Sequence, residues 1–359
     1  MATEQSATVV NGDSRQHHHR SPTFPYANSA RHKPRRFVKG AIHDVIIIPV
    51  SFHAAFAALV VLLDKRVGDV GIPNSLIPSL SIVVGLMLVF RNQTSYERFW
   101  TGRNYLTQIS TSVRNLTRSF LCCSSRVDES TTAVDRADTE SIVRLLVAIL
   151  YSTKNHLRAE WGAAIRPGTA LSSSGGPTFT PEYSELLPAG LKGCEELGLG
   201  LPLQLTFYVE RYIKKGYDKG WFHAPQASQM QVQLNTLVDA YGKMETVKLT
   251  PLPVAHLIHQ KQVLALFGCV LPFAMVDDMG WWTVPIVTLI AFTLYGIEGI
   301  GVQLEDPFGY DRNDIKMDAI VEDSRLEIMV MLDEWKKGGE MFSVRSGRAN
   351  GYGSIQPNR

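Results

Sequence analysis

The sequence predicts an all-α membrane protein that combines four membrane-spanning helices with a large cytosolic helical domain. Four apolar segments occur as two pairs, and the segments of each pair are joined by a short connection. The long polar region between the pairs repeats its apolar residues at helical spacing. Charged residues make up 19% of the chain, below the roughly 25% that is typical of soluble proteins. We find no convincing strand pattern.

The average composition, taken alone, favours a different class of protein. The chain has 359 residues, a net charge of +2 and a mean hydropathy of −0.02, and it contains no run of 18 apolar residues. A soluble helical enzyme is therefore one alternative. The near-neutral charge argues against a nucleic-acid-binding protein, and a hydrophobic content of 45% argues against disorder. Four cysteines are too few for a disulfide scaffold.

The N-terminal tail, residues 1–36, is polar and basic, and we expect it to be disordered. It lacks the apolar core of a secretory signal peptide. Its run of three histidines, His17 to His19, is more typical of a solvated tail than of a metal site.

The spanning helices are predicted at about 41–63, 75–98, 255–276 and 281–301. Asp44, Pro49 and His53 interrupt the first of them. Trp281 and Trp282 begin the fourth, as in an interfacial aromatic belt. An even number of spans puts both termini on one side. The Lys and Arg residues that flank the pairs indicate that this side is cytosolic, although Lys65 and Arg66 in one short connection make the pattern mixed.

The cytosolic region is predicted to comprise residues 99–253 and 302–335. Apolar periodicity predicts helices at about 90–120, 141–158, 203–214 and 229–246. The hydrophilic stretch 122–138 and the Gly-, Ser-, Thr- and Pro-rich stretch 163–190 are predicted loops. Residues 336–359 are a predicted flexible tail.

The second span carries an apolar stripe. Ile82, Leu86 and Phe90 are spaced at i, i+4 and i+8, so they share one helix face. Such a stripe is either a face that packs against another helix or an apolar constriction that gates a pore by dewetting. Five basic residues follow on the same helix and form either a solvated face or a source of positive potential: Arg91, Arg98, Arg103, Arg114 and Arg118.

An acidic block follows the fourth span and contains Glu305, Asp306, Asp311, Asp314 and Asp318. It lacks the spacing of an EF-hand. Oxygen atoms on one irregular loop can nevertheless bind Ca²⁺. Capping of the following helix by Asp311 or Asp314 is the alternative interpretation.

Other candidate groups are weaker. Glu298 is a carboxylate near the end of a span, which makes it a candidate functional residue. His256 and His259 lack a clear third metal ligand, and Cys122 and Cys123 lack a second pair at zinc spacing. The sequence contains no GxSxG, P-loop or HExxH motif, so we predict that the protein is not an enzyme.

Several long motifs resemble the bestrophin-like family of anion channels, in particular its bacterial, plant and fungal branch. The motifs are FRNQTSYERFWTGRNY (90–105), TPLPVAHLIHQKQ (250–262) and the block at 271–318 that includes EDPFGYDRND. Together with weaker stretches they assign residues 37–335 to a bestrophin-like channel domain.

The resemblance implies a homopentamer around a central pore, with four spans per subunit. It places Ile82, Leu86 and Phe90 at an apolar neck. A second constriction is expected near 223–226, where the match is too poor to name an aperture residue. In animal members an acidic block binds calcium. The resemblance places two side-chain ligands on Asp311 and Asp314 and two carbonyl ligands on Gln303 and Asp306, although this block is less continuously acidic than in those members.

We therefore predict a channel that conducts chloride and other small monovalent anions and is gated at the neck. Calcium regulation at the acidic block and a channel without bound calcium are two alternatives that the resemblance leaves open. The expected partners are further copies of the chain, the lipid bilayer and the permeant anion, without nucleic acid. The plasma membrane is the expected location, rather than an organelle. A non-conducting membrane scaffold and a cation-preferring channel of the same fold are the alternatives.

Overall fold

A computed structural model describes residues 43–68, 70–124, 133–158, 186–187 and 201–337. The regular structure in these ranges is helical and contains no strand, which confirms the predicted all-α class. The helices are α1 (His43–Val67), α2 (Leu76–Ser124), α3 (Ala133–Leu157), α4 (Leu201–Asp218), α5 (Ala224–Leu249), α6 (Val254–Met279), a 3-10 turn (Gly280–Trp282), α7 (Thr283–Gln303) and α8 (Met317–Lys336). The predicted tail 1–36, nearly all of the predicted loop 163–190 and the tail beyond 337 lie outside the described residues.

The apolar helices form one bundle. Three helical stretches of the described chain are long and apolar enough to cross a membrane: Val45–Val67, Leu76–Ser124 and Val254–Gln303. The third stretch holds both α6 and α7, which are separated at Gly280, where φ is +50°. That left-handed conformation suits glycine and ends α6. The four predicted segments thus correspond in position to α1, the first part of α2, α6 and α7.

Helices α6 and α7 form an antiparallel hairpin. Val276 and Val284, close to the turn, pack in the same small apolar cluster. Far from the turn, Lys261 Nζ lies 3.8 Å from Glu298 Oε1 across the pair. Helices α1 and α2 complete the bundle, and its core includes Ala57, Leu88 and Val287. Helix α1 packs mainly against α7.

Helix α2 is the element that joins the apolar bundle to the polar domain. It has 49 residues, which gives a length of about 73 Å at 1.5 Å per residue. Its first part contributes Val84 and Leu88 to the apolar bundle. Its last part contributes Leu106, Val113 and Phe120 to a second core, which also includes residues of α3, α4, α5 and α8. One helix therefore belongs to two separate hydrophobic cores.

The second core is closed by aromatic contacts. The Phe120 ring lies 4.9 Å from the Tyr212 ring and 6.1 Å from the Phe222 ring, measured between centroids. A Cβ atom at Gly216 would approach Phe222 to 2.2 Å, so only glycine permits this packing. The core is thus dense at the point where α2 meets α4.

Both predicted bounds of the loop 122–138 are wrong. Helix α2 continues to Ser124, and α3 already begins at Ala133. The polar residues of the first turns of α3 make tertiary contacts, because Asp135 Oδ1 binds Lys219 Nζ at 2.5 Å and Lys215 Nζ at 3.2 Å. A hydrophilic composition indicated a loop here, whereas ion pairs to α4 hold these residues in a helix.

We expect Phe120→Ala to destabilise the polar domain by about 3–5 kcal/mol, because a fully buried aromatic side chain would leave a cavity. Phe207→Ala is the matched control, since Phe207 is 57% exposed whereas Phe120 is 0% exposed. Thermal unfolding in detergent should show a clear fall in Tm for Phe120→Ala and little change for the control. Equal shifts for the two variants would contradict the described core.

Candidate functional site

The predicted neck residues lie on one exposed face of α2. Ile82, Leu86 and Phe90 are 70%, 54% and 60% exposed in the single chain, although all three are large and apolar. The opposite face of the same turns is buried, with Val84 and Leu88 in the core of the apolar bundle. Among the described residues, the packing-face alternative therefore does not hold. No described side chain covers this stripe, which leaves lipid, further copies of the chain or the water of a pore as its surroundings.

The buried face of α2 changes from apolar to charged immediately after the neck. Arg91 is only 2% exposed, and its Nη2 atom donates to Glu305 Oε2 at 3.0 Å. Its Nε and Nη1 atoms have no hydrogen-bond acceptor among the described residues. A Cβ atom at Gly301 would lie 3.4 Å from Arg91 Cγ, so a small residue lets α7 approach the arginine closely. This ion pair fixes α2 to the segment that follows α7.

Arg98, two turns further along, binds three backbone carbonyls. Its guanidinium donates to Glu305 O at 3.0 Å, to Thr250 O at 2.7 Å and to Val247 O at 2.5 Å. These carbonyls belong to the C-terminal end of α5 and to the segment just after α7. The last carbonyls of a helix lack partners within the helix, and a cation there also complements the helix dipole. Arg98 thus joins α2, α5 and the end of α7 at one point.

The other basic residues of α2 do not form a uniform positive wall. Arg114 Nε pairs with Glu327 Oε2 at 2.6 Å, and Arg103 donates to the Thr107 hydroxyl. Arg118 is exposed. Most of the predicted basic set therefore makes structural contacts on faces away from the neck stripe.

The acidic block folds into an irregular loop around Asp314. Asp314 is 6% exposed, and its Oδ2 atom accepts the Asp311 N–H at 2.7 Å. Its Oδ1 atom has no hydrogen-bond partner among the described residues. Burial raises the pKa of the Asp314 carboxyl above its ordinary value. A Cβ atom at Gly309 would lie 2.7 Å from Asp314 Oδ2, which explains the glycine at that position.

The neighbouring acids are tied to other elements. Asp306 Oδ2 pairs with Lys248 Nζ at 2.6 Å, and the Gln303 side chain accepts from Asn313. Asp318 Oδ2 pairs with Arg158 Nη1, just after the end of α3, at 2.8 Å. Asp318 Oδ1 pairs with Lys154 Nζ of α3 at 3.0 Å. The N-cap of α8 is Lys316, so neither Asp311 nor Asp314 caps that helix. The capping interpretation is wrong, because Asp314 instead closes its own loop through the Asp311 amide.

The structure also locates the weaker candidates. Glu298 is buried and faces Lys261 across the α6–α7 hairpin. His256 and His259 are exposed on α6, and no group of three or more His, Cys, Asp or Glu residues in the described ranges is arranged to hold a metal. Cys122 and Cys123 form no disulfide within the described part of the chain. The stretch 223–226 begins α5, with exposed side chains, and it still yields no aperture residue.

The contacts of three residues were not found from the sequence. The sequence analysis treated Arg91 and Arg98 as part of a basic face, although their spacing of seven residues puts both on one side of α2. His53 was treated as an interruption of the first span. It is fully buried, with Nε2 3.1 Å from the Tyr295 hydroxyl. A Cβ atom at Gly268 would come within 2.6 Å of its ring. For His53, the only signal in the sequence was a single histidine within an apolar run, which could have indicated a buried polar contact.

Comparison with known proteins identifies the family. Residues 28–330 match the family described as Bacterial/Fungal Bestrophin protein, and the chain belongs to that family. A voltage-dependent anion channel-forming protein of a Nostoc species is 37% identical over 285 residues, which is 79% of this chain and 85% of the relative. A protein with the same descriptive name from a Synechocystis species is 35% identical over 302 residues, 83% of this chain and 91% of that one.

A solved structure shows the same fold. A bacterial bestrophin homologue from Klebsiella pneumoniae superimposes with a TM-score of 0.66 at 23% identity, over 80% of this chain and 98% of that one. The resemblance stated from the sequence motifs is thus confirmed. The protein is an integral membrane protein, and its family agrees with the prediction that it is not an enzyme.

We expect Arg98→Ala to weaken the junction between the two cores by about 2 kcal/mol or more, because three carbonyls lose a charged donor. Arg118→Ala, on an exposed position of the same helix, is the control. Thermal unfolding in detergent should show a lower Tm for Arg98→Ala alone. If Arg98→Lys retained the full Tm, a point charge would suffice and the three-way fork of contacts would not be required.

Proposed function

We propose that this protein is an anion channel whose conduction path is lined by the exposed face of α2. The observation that carries the proposal is the stripe of Ile82, Leu86 and Phe90, three large apolar side chains that no part of the described chain covers. The family and the names of the two relatives support anion conduction. The resemblance of the motifs supports a homopentamer, and the even number of spans with basic flanks supports cytosolic termini. The plasma membrane is the expected location.

A ring of such stripes explains gating physically. When several copies of α2 surround one axis, their apolar side chains form a neck about three residues deep, with a spacing of about 6 Å per layer along each helix. A narrow apolar neck loses its water and blocks ions, and a small widening lets water and ions return. Chloride and other small monovalent anions then pass by diffusion, without a covalent step.

The proposal is tested with purified protein in a lipid bilayer under asymmetric KCl. We expect a reversal potential that approaches the chloride potential. Replacing Ile82, Leu86 and Phe90 together by Ala should increase the leak conductance severalfold, because the neck becomes wider and easier to wet. The matched control replaces Leu266, Leu289 and Phe292, three exposed apolar residues of α6 and α7, by Ala.

Three outcomes would each contradict a different part of the proposal. An intact oligomer that passes no ions would favour a non-conducting scaffold, and a reversal potential near that of potassium would favour a cation channel. Equal conductance of the wild type and the neck variant would remove the gate from this stripe while leaving conduction in place.

We further propose that calcium regulates the channel at the acidic loop. The Oδ1 atom of Asp314 has no hydrogen-bond partner among the described residues, and this supports the proposal, because a buried carboxylate oxygen of this kind suits a hard cation. Asp311 would supply the second side chain, and Gln303 and Asp306 would supply carbonyls. The Asp306 side chain pairs with Lys248, so the backbone carbonyl of Asp306 is still available to bind calcium. Bound calcium would supply positive charge that links the end of α7 to α8.

We expect calcium to raise the Tm of the wild type and to lose this effect when Asp311→Ala and Asp314→Ala are combined. Asp333→Ala, at an exposed acid of α8, should keep the shift. Thermal unfolding in detergent with added CaCl2 or with a chelator measures binding without relying on currents. A wild-type Tm that does not respond to calcium, or a double variant that responds fully, would contradict this site.

A further inference from the structure

The exposed face of α2 does not end at the neck. At about 100° per residue, the residues that continue the line of Ile82, Leu86 and Phe90 are Gln93 and Glu97. Both side chains are exposed. Glu97 lies within about 20° of the centre of the neck face and about 10 Å beyond Phe90 along the helix axis. On this exposed face, the first charged side chain after the apolar stripe is therefore the negative one of Glu97.

The basic residues nearest to Glu97 point elsewhere. On the same helical projection Arg91 and Arg98 lie about 140° and 120° from the centre of the neck face. Arg91 is buried against Glu305, and Arg98 is held by backbone carbonyls. Neither guanidinium is thus available to neutralise the exposed face. The contacts that anchor α2 leave its free face with a carboxylate.

Glu97 itself is not neutralised within the described chain. Its Oε1 atom accepts a hydrogen bond from Gln93 Nε2 at 2.7 Å, and no cationic side chain of the described ranges forms an ion pair with it. A neutral amide does not cancel the charge. When copies of α2 surround a common axis, one such carboxylate from each copy forms a ring of like charge at the cytosolic mouth of the neck.

We propose that Glu97 is a selectivity-determining residue of the channel, which lowers the local concentration of anions at the cytosolic mouth of the neck and raises that of cations. The inference rests on the proposed function, because it requires that the exposed face of α2 faces the pore. A ring of carboxylates in a confined path attracts cations and repels anions. Glu97 therefore limits the preference for chloride over potassium that the rest of the path provides.

The test compares full-length variants, each reconstituted in bilayers of phosphatidylcholine, under a tenfold KCl gradient. The reversal potential gives the ratio of chloride to potassium permeability. We expect Glu97→Gln, which keeps the size and polarity of the side chain, to raise this ratio by about threefold or more. Glu97→Lys should raise it further. Because the effect is electrostatic, it should shrink as the KCl concentration is raised at a constant gradient.

The matched control is Glu210→Gln on α4. Glu210 is also exposed and also accepts one hydrogen bond from a glutamine amide, from Gln231 Nε2 at 2.8 Å. A shift for Glu97→Gln no larger than the shift for this control overturns the inference while leaving the proposed channel intact. An absence of wild-type current overturns the proposed channel and the inference with it. A shift towards potassium for Glu97→Lys also overturns the inference.

Discussion

The attachment of α2 to the segment after α7 is the interaction on which the rest of the structure depends. Arg91 binds the side chain of Glu305, and Arg98 binds its backbone carbonyl together with the end of α5. Because α2 belongs to both hydrophobic cores, these contacts set its rotation and its height relative to α6 and α7. Without them α2 would lose its ion pair and its hydrogen bonds to the segment after α7, at the point where the apolar and polar parts of the chain meet.

The rotation of α2 decides which side chains face outward. The periodicity of 3.6 residues places Arg91 and Arg98 on one side and the neck stripe roughly opposite. The contacts of the two arginines therefore leave Ile82, Leu86 and Phe90 exposed, and leave Glu97 exposed beyond them. The same contacts that hold the cores together thus define both the hydrophobic part and the charged part of the proposed conduction path. Structure and proposed selectivity are coupled through one helix.

Much of the fold was predictable because periodicity is a local property. The apolar spacing located α1, α2, α4, α5, α6 and α7 to within a few residues. The start of α3 was missed because its first turns are polar and are held by ion pairs to α4. The contacts of Arg98 join it to residues 149 to 207 positions away, so no local pattern could indicate them. The absence of a long apolar run now has a cause, since polar residues such as His53 are buried inside the bundle, where His53 Nε2 lies 3.1 Å from the Tyr295 hydroxyl.

The sequence by itself determined the all-α class, the positions of the apolar segments and the family, because these depend on residue spacing and on motifs read along the chain. It also placed the three neck residues on one helix face. Only the tertiary structure decided that no described residue covers this face, that Arg91 and Arg98 make structural contacts, and that Asp314 is buried with one oxygen that has no partner among the described residues. These properties depend on which distant residues approach each other. That approach follows from the packing of whole helices, to which every part of the chain contributes.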